Sequence, residues 1–429
     1  MNKNINSILK EVLAKIEPSE KEIKFIDSSI KTFLEKLKKN VKKSKLDLDV
    51  FVGGSHAKGT MIKRNFYDID IFVRFDKKYK NDELSKLTKK LLNGFEKITT
   101  VHGSRDYFRI KISKWLVFEV VPVRKIRGLG GVENITDRSY SHVHYIKRSV
   151  KNQKIMEDIR LAKSFCHANN CYGAESYING FSGYALELLV YHYGGFLKFI
   201  KAMTKIKDKT VIDIEKHYKN KNRVLMDINA SKLQSPIILI DPTFKQRNAL
   251  AALSEETFKK FQKDCRNFLE NPSVKHFDEK VLDIEKIKKN AKRKKYEFVL
   301  LGAKTNKQEG DVAGSKLGKF HNHLKYEISK FFDVKSNGFE YNDKKSARYF
   351  FVVKKKKELL IRGPLTSQEK HVKKFKKKYK KTFTKKGKIY TIQKKIPNLK
   401  KFLNDWKTKN KKQMKDMSIL QLQEIPHRS

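Results

Sequence analysis

Residues 67–75, YDIDIFVRF, constrain the fold of this chain more than any other stretch. Apolar and charged side chains alternate through their first half, which is the period of a strand with one buried face. That period sends Ile69 and Ile71 to one side of a sheet and both Asp68 and Asp70 to the other. Two hard oxygen donors on one face suit Mg2+, which keeps several waters and takes one or two carboxylates together with substrate phosphates.

What stands upstream makes the pair a candidate site. LDLDVFVGG, residues 46–54, reads as a strand running into a glycine turn. Gly53 and Gly54 let backbone N–H groups approach an anion, Ser55 adds a hydroxyl donor, and Lys58 is placed to touch a phosphate oxygen. An in-line phosphoryl displacement assisted by two metals calls for a third carboxylate. The strand WLVFEVVP, residues 115–122, offers Glu119, a lone acid among apolar residues that is costly there unless it has a partner. Competing phosphate and metal motifs are missing: there is no GxxxxGK[ST], no GxGxxG ahead of a helix and no HExxH.

The charge balance agrees with a phosphate-rich partner. Lys and Arg number 98 against 47 Asp and Glu, a formal charge of +51, which favours a polyanion such as nucleic acid, although a lysine-rich proteome gives the same bias. Cys166, Cys171 and Cys265 form neither a disulfide framework nor a paired zinc-type spacing. The opening MNKNINSILKEVLAKIEP is an amphipathic helix pattern without the apolar core of a signal peptide, and no stretch reaches the ~20 apolar residues of a membrane span. A cytoplasmic protein is expected, with no membrane partner.

Helices are expected over 3–16 and 19–42, the second with Ser19 as cap and Glu22 three residues on. A helix near 82–98 and strands at YFRIKI and WLVFEVV complete a small α/β unit over about 30–140. The middle of the chain reads as mainly helical, through EDIRLAKSFCHAN, FSGYALELLVYHYGGFLKFIKAM and a helix near 254–270. The last third predicts strand, helix, strand, strand: YEFVLL, a helix carrying Leu317, Phe320, Leu324, Ile328 and Phe331, then ARYFFVV and ELLIR. HVKKFKKKYKKTFTKKGKIYTIQKK interleaves rings with lysines, as suits a surface that grips phosphates and stacks on bases, or a helix whose rings are core.

The glycine-serine turn, the DxD strand and the later acid strand together resemble the nucleotidyltransferase superfamily of poly(A) polymerases and DNA polymerase β. GGSHAKGT, YDIDIFVRF, FEVVPV, ITDRSYSHVH, YGAESYINGFSGYALELLVYHYGGF, DPTFKQRNALAALS and RGPLTSQEKHV, in that order, resemble the archaeal class I CCA-adding enzymes. The resemblance implies an α+β multidomain protein: a polymerase-β-like nucleotidyltransferase head over 1–148, a mainly helical neck with the nucleotide-base pocket over 149–270, and a basic α+β body and tail over 271–429. It implies template-independent addition of C, C and A to the 3′ end of tRNA from CTP and ATP with Mg2+, the acceptor arm lying on body and tail. By position, Asp68, Asp70 and Glu119 would be catalytic metal carboxylates. Gly54, Ser55, Lys58, His142, Lys163 and Tyr172 would hold the triphosphate, and Arg247 would read the incoming base with its guanidinium fork. Two positions depart from the family pattern: the third ligand is normally Asp where this chain has Glu119, and Arg is common where it has Lys58. A poly(A)-polymerase-like adenylyltransferase and a catalytically inactive RNA-binding relative are the alternatives.

Overall fold

The structure, a computed structural model, describes residues 5–103, 105–126, 134–279, 282–342, 344–393 and 396–426. Backbone contacts divide the chain into two units, Met1–Lys280 and Val281–Ser429.

The N-terminal unit opens with α1 (Ile5–Ile16) and α2 (Glu20–Ser44); residues 3–4 of the expected first helix lie outside the described residues. At α2 the capping box is complete, with the Ser19 side chain accepting from the Glu22 amide and the Glu22 side chain from the Ser19 amide. Its Ile26, Ile30, Phe33 and Leu37 form one buried stripe at helical spacing. That stripe covers one face of a sheet ordered β1-β2-β5-β4-β3. Its strands are β1 (Leu48–Val52), β2 (Tyr67–Phe75), β3 (Ile98–Val101), β4 (Tyr107–Lys111) and β5 (Leu116–Arg124). The short α3 (Gly54–Ala57) follows β1, and α4 (Leu84–Leu91) follows β2. The helix expected over 82–98 is therefore shorter: it ends at Leu91, a turn follows, and only Ile98 belongs to β3. β2 runs parallel to β5 while the other pairs are antiparallel. Ile69, Ile71 and Val73 of β2 and Phe118 and Val120 of β5 pack into the core with α2, which leaves Asp68, Asp70 and Glu119 on the opposite face.

Next come α5 (Ser139–Ser149), α6 (Gln153–Ala168), α7 (Gly183–Tyr193), α8 (Phe196–Lys205) and, after a small sheet, α10 (Glu255–Glu270). Within the helical stretch FSGYALELLVYHYGGFLKFIKAM, Gly194 takes a left-handed φ of 71° that ends α7, and α8 starts at Phe196. Phe165, Phe181, Phe199, Phe261 and Phe268 fill the shared core, and Ile8, Leu9 and Val12 of α1 join it, so the opening helix is used here and not on the sheet. This part is less purely helical than expected. β6 (Thr210–Ile212), β7 (Ile237–Asp241) and β8 (Phe244–Asn248) form a sheet around α9 (Lys221–Asp227). β7 is buried along its whole length, so it is an apolar run without the alternation that marks a half-exposed strand.

In the C-terminal unit α11 (Ile284–Arg293) precedes β9 (Glu297–Thr305), α12 (Asp311–Ser329), β10 (Phe332–Tyr341) and β11 (Ser346–Lys355). β12 (Leu359–Leu365), α13 (Glu369–Lys378), β13 (Phe383–Lys385), β14 (Lys388–Gln393), α14 (Leu399–Lys409), α15 (Lys411–Asp416) and β15 (Ile419–Glu424) complete it. One sheet is ordered β10-β11-β9-β15 and another β12-β14-β13. The expected strand-helix-strand-strand unit thus gains β10, an edge strand whose alternation, Phe332 and Val334 then Phe339 and Tyr341, is interrupted by the polar KSNG and a bulge between Val334 and Ser336. In the lysine-rich segment Phe375 faces Tyr379 at 4.8 Å and Phe383 stacks on Tyr390 at 5.8 Å. Phe383 is 42% exposed, so this ring pair sits at the surface and not in the core; Lys394 and Lys395 lie outside the described residues.

Candidate functional site

The open face of the first sheet gathers the acids. In the parallel pair β2–β5, Asp70 stands directly beside Glu119 and Asp68 beside Val117, so all three acids share one face. Gly54 lies against them with φ 63°, and a Cβ there would overlap Asp70 Oδ2. Glycine is therefore required twice, for the backbone conformation and for the approach. Burial, Glu119 and Asp68 together push the Asp70 carboxyl up to about 7, opposed by Lys58. Glu119 is not left among apolar neighbours: Arg109 of β4, its cross-strand partner, donates from Nε to Glu119 Oε1 at 2.7 Å.

Behind the glycine turn lies a closed charge cluster. Glu187 of α7, wholly buried, accepts from Lys58 Nζ at 2.6 Å, from Thr60 Oγ1 at 2.8 Å and from Lys163 Nζ of α6 at 2.8 Å. Lys163 also donates to Thr60 Oγ1 at 2.9 Å. Burial alone would raise Glu187, but Lys163 and Lys58 hold it down at about 2. Tyr172 packs beside this group, its ring stacked on His167 at 3.9 Å, and burial raises its phenol, with Glu187 adding to the rise and Lys58 opposing.

A second hub stands at the end of β7. Asp241, with no exposure, accepts from Arg247 Nη1 at 2.6 Å through Oδ2 and from the Tyr184 hydroxyl at 3.1 Å through Oδ1. Thr243 bonds the same Oδ1 through its amide and hydroxyl, each at 2.8 Å. His142 Nε2 lies 3.0 Å from Asp241 Oδ2, and its ring stacks on Tyr184 at 4.0 Å. Burial holds His142 below its usual value against the pull of Asp241, while Arg247 and Lys58 also disfavour its charged form. Burial would raise Asp241, yet His142 and Arg247 hold it well below the carboxylate range.

The sequence-derived residues thus fall into three adjoining groups. Asp68, Asp70 and Glu119 share a face with Gly54; Lys58, Lys163 and Tyr172 surround Glu187; His142 and Arg247 share Asp241. Sequence reasoning missed Glu187, Thr60, Asp241, Tyr184 and Arg109. Two of these left a signal: Glu187 is the acid inside the apolar YALELLVY, and Asp241 ends the apolar IILID. The donor set of the open face is all carboxylate oxygen, which fits a hard divalent cation. Among the described residues no three acid, imidazole or thiol groups already converge on one point.

Comparison with known proteins bears on these groups. Residues 4–155 match the family model of the Second Messenger Oligonucleotide or Dinucleotide Synthetase domain, and residues 157–278 that of tRNA nucleotidyltransferase, second domain. The chain is 30% identical to the CCA-adding enzyme of Methanocaldococcus jannaschii over 401 residues, spanning 90% of this chain and 87% of that one. It is 44% identical to the CCA-adding enzyme of Nanoarchaeum equitans over 211 residues, 49% of this chain and 52% of the other. Among solved structures it resembles the Cid1 poly(U) polymerase with a TM-score of 0.51 over 65% of this chain and 100% of that one, at 13% identity, a likeness of fold alone. Enzymes of this superfamily use divalent metal ions, and among the described residues no helix is long and apolar enough to cross a membrane. Identity over nearly the whole length of the Methanocaldococcus enzyme, on a polymerase-β-like α+β fold, establishes that the chain is a nucleotidyltransferase belonging to the family of CCA-adding enzymes.

Proposed function

We propose that the protein is a cytoplasmic, template-independent tRNA nucleotidyltransferase that adds C, C and A to the 3′ end of tRNA from CTP and ATP, releasing pyrophosphate. The observation that carries the reading is the position of Lys58. Its ammonium is held with that of Lys163 by Glu187, while its charge reaches Asp70, His142 and Tyr172. One cation thereby joins the acid face to both neighbouring groups, as a site for a metal-bound triphosphate requires.

In this reading Asp68, Asp70 and Glu119 hold Mg2+, which when bound lowers the barrier to attack by the tRNA 3′-hydroxyl and to departure of pyrophosphate. Gly54 and Ser55 bring a backbone amide and a hydroxyl to the phosphates, with Lys58 and Tyr172 on the other side and Lys163, whose three donors go to Thr60 and Glu187, adding its charge from behind. Glu187 keeps the two lysine side chains extended and ordered before nucleotide arrives, so less freedom is lost on binding. His142 stands between the phosphate grip and the base reader. Arg247, steadied by Asp241, presents its remaining donors to the base, where acceptors of C and A can meet them. The acceptor arm is read by shape and backbone through the basic C-terminal unit.

The test is incorporation of labelled CTP and ATP, separately and together, into a tRNA transcript lacking CCA. CTP alone should add C only, and a single A should follow once ATP is present. A ladder of A from ATP alone would replace this reading with a poly(A)-type activity, and tight tRNA binding without incorporation would replace it with an inactive relative.

A further inference from the structure

The unexpected element of the acid face is Arg109. It stands opposite Glu119 in the antiparallel β4–β5 pair, on the same side of the sheet, and its Nε lies 2.7 Å from Glu119 Oε1. Its field also reaches Asp68. A guanidinium stays charged at any pH the protein meets and cannot leave by deprotonation. The Glu119 side chain is 15% exposed and that of Arg109 is 50% exposed. An ion pair open to water on one side holds weakly and opens readily. We propose that Arg109 is a resident counter-ion of Glu119 that a divalent cation must displace, so that it sets the metal concentration at which this site loads.

The inference rests on the metal-binding reading of Asp68, Asp70 and Glu119. β2 and β4 flank β5 on opposite sides, so a Glu119 carboxylate drawn to Arg109 is drawn away from Asp68 and Asp70, and closing on a cation shared with them pulls it off Nε. Apparent metal affinity is therefore reduced by the fraction of molecules in which the pair is closed. The cation competes with advantage because it carries twice the charge of the guanidinium and engages the neighbouring carboxylates at the same time. Once displaced, Arg109 has solvent beside it and loses little. Glu119 stays paired at low metal, and the concentration at which the site half-fills is raised by the closed fraction.

The experiment titrates Mn2+ into the full chain, without nucleotide or RNA, at fixed ionic strength, reading free Mn2+ by electron paramagnetic resonance. Arg109→Gln should tighten Mn2+ binding by about threefold to tenfold, and Arg109→Lys, which keeps the charge without the fork, should fall between it and the parent. Lys90→Gln, an exposed cation on α4, controls for general charge and should leave the curve unchanged. Thermal melts without metal verify that each variant is folded, and Arg109→Lys carries the test if Arg109→Gln is not. Unchanged or weaker binding in Arg109→Gln overturns the proposal, as does equal tightening by Lys90→Gln. Asp70→Asn separates the two levels. If it weakens Mn2+ binding while Arg109→Gln fails to tighten it, the counter-ion role alone falls. If Asp70→Asn has no effect, or the parent binds no Mn2+, the metal-site reading itself falls.

Discussion

Glu187 and Asp70 are both carboxylates of the candidate site, and the protein treats them in opposite ways. Glu187 has no exposure, yet Lys163, Lys58 and Thr60 close around it and it stays ionised down to about pH 2. Asp70 shares its face with Asp68 and Glu119, and burial with their repulsion lifts it to about 7. In the first group two lysines more than neutralise one carboxylate, so Glu187 needs nothing further and the surplus positive charge is left to act on its neighbours. The second has more negative charge than its neighbours balance, and that is the arrangement of a site finished by an incoming cation.

Asp70→Asn tests the open half of the comparison and should have the largest effect. It removes a carboxylate without changing shape, so nucleotide incorporation should fall about a thousandfold. It also relieves repulsion, so the thermal midpoint without metal should hold or rise; a drop would mean that Asp70 is structural like Glu187. Glu187→Ala tests the closed half. Two buried lysines would lose their shared partner, at a cost of about 3–5 kcal/mol in urea unfolding of the full chain. The pH dependence follows from the same group. In the unfolded chain Glu187 takes a proton near its ordinary 4.5 and in the folded chain only near 2. Its stabilisation is complete above pH 4.5 and is lost progressively as pH falls toward 2. The stability gap between the parent and Glu187→Gln should narrow over that window.

The open half of the site was the legible half. Asp68 and Asp70 betray themselves because a strand's period of two leaves no choice of face, and Gly54 because a turn must fall between β1 and β2. The lone acid at Glu119 was visible, but its partner was not, since the pairing of Arg109 with Glu119 depends on the register of β4 against β5, which no local pattern specifies. The closed half was hidden for a related reason. Glu187 lies 129 positions from Lys58 and 24 from Lys163, and only the packing of α6 and α7 against the turn brings them together. In the fold, the strands and helices with a clear alternation or stripe were readable, whereas β7, buried throughout, shows no period, and in β10 a bulge between Val334 and Ser336 breaks the period between Phe332/Val334 and Phe339/Tyr341.

Asp241 is a second closed hub, and comparing it with Glu187 gives the smallest effect and the sharpest test. Both are fully buried, but Asp241's cationic partner Arg247 keeps 23% of its side chain exposed, while Lys58 and Lys163 keep 10% and 4%. In Asp241→Asn the amide oxygen can retain the Tyr184 and Thr243 bonds now made to Oδ1, and its nitrogen then faces Arg247, where a donor meets a donor. Arg247 can turn back to water, so the cost should be about 1–3 kcal/mol, below that of Glu187→Ala. The functional signature should also differ. A loosened Arg247 weakens ground-state and transition-state binding of the base alike, so KM for CTP should rise several-fold with kcat nearly unchanged. If kcat falls instead, Asp241 acts on the phosphate grip through His142, and the two hubs serve one function rather than two.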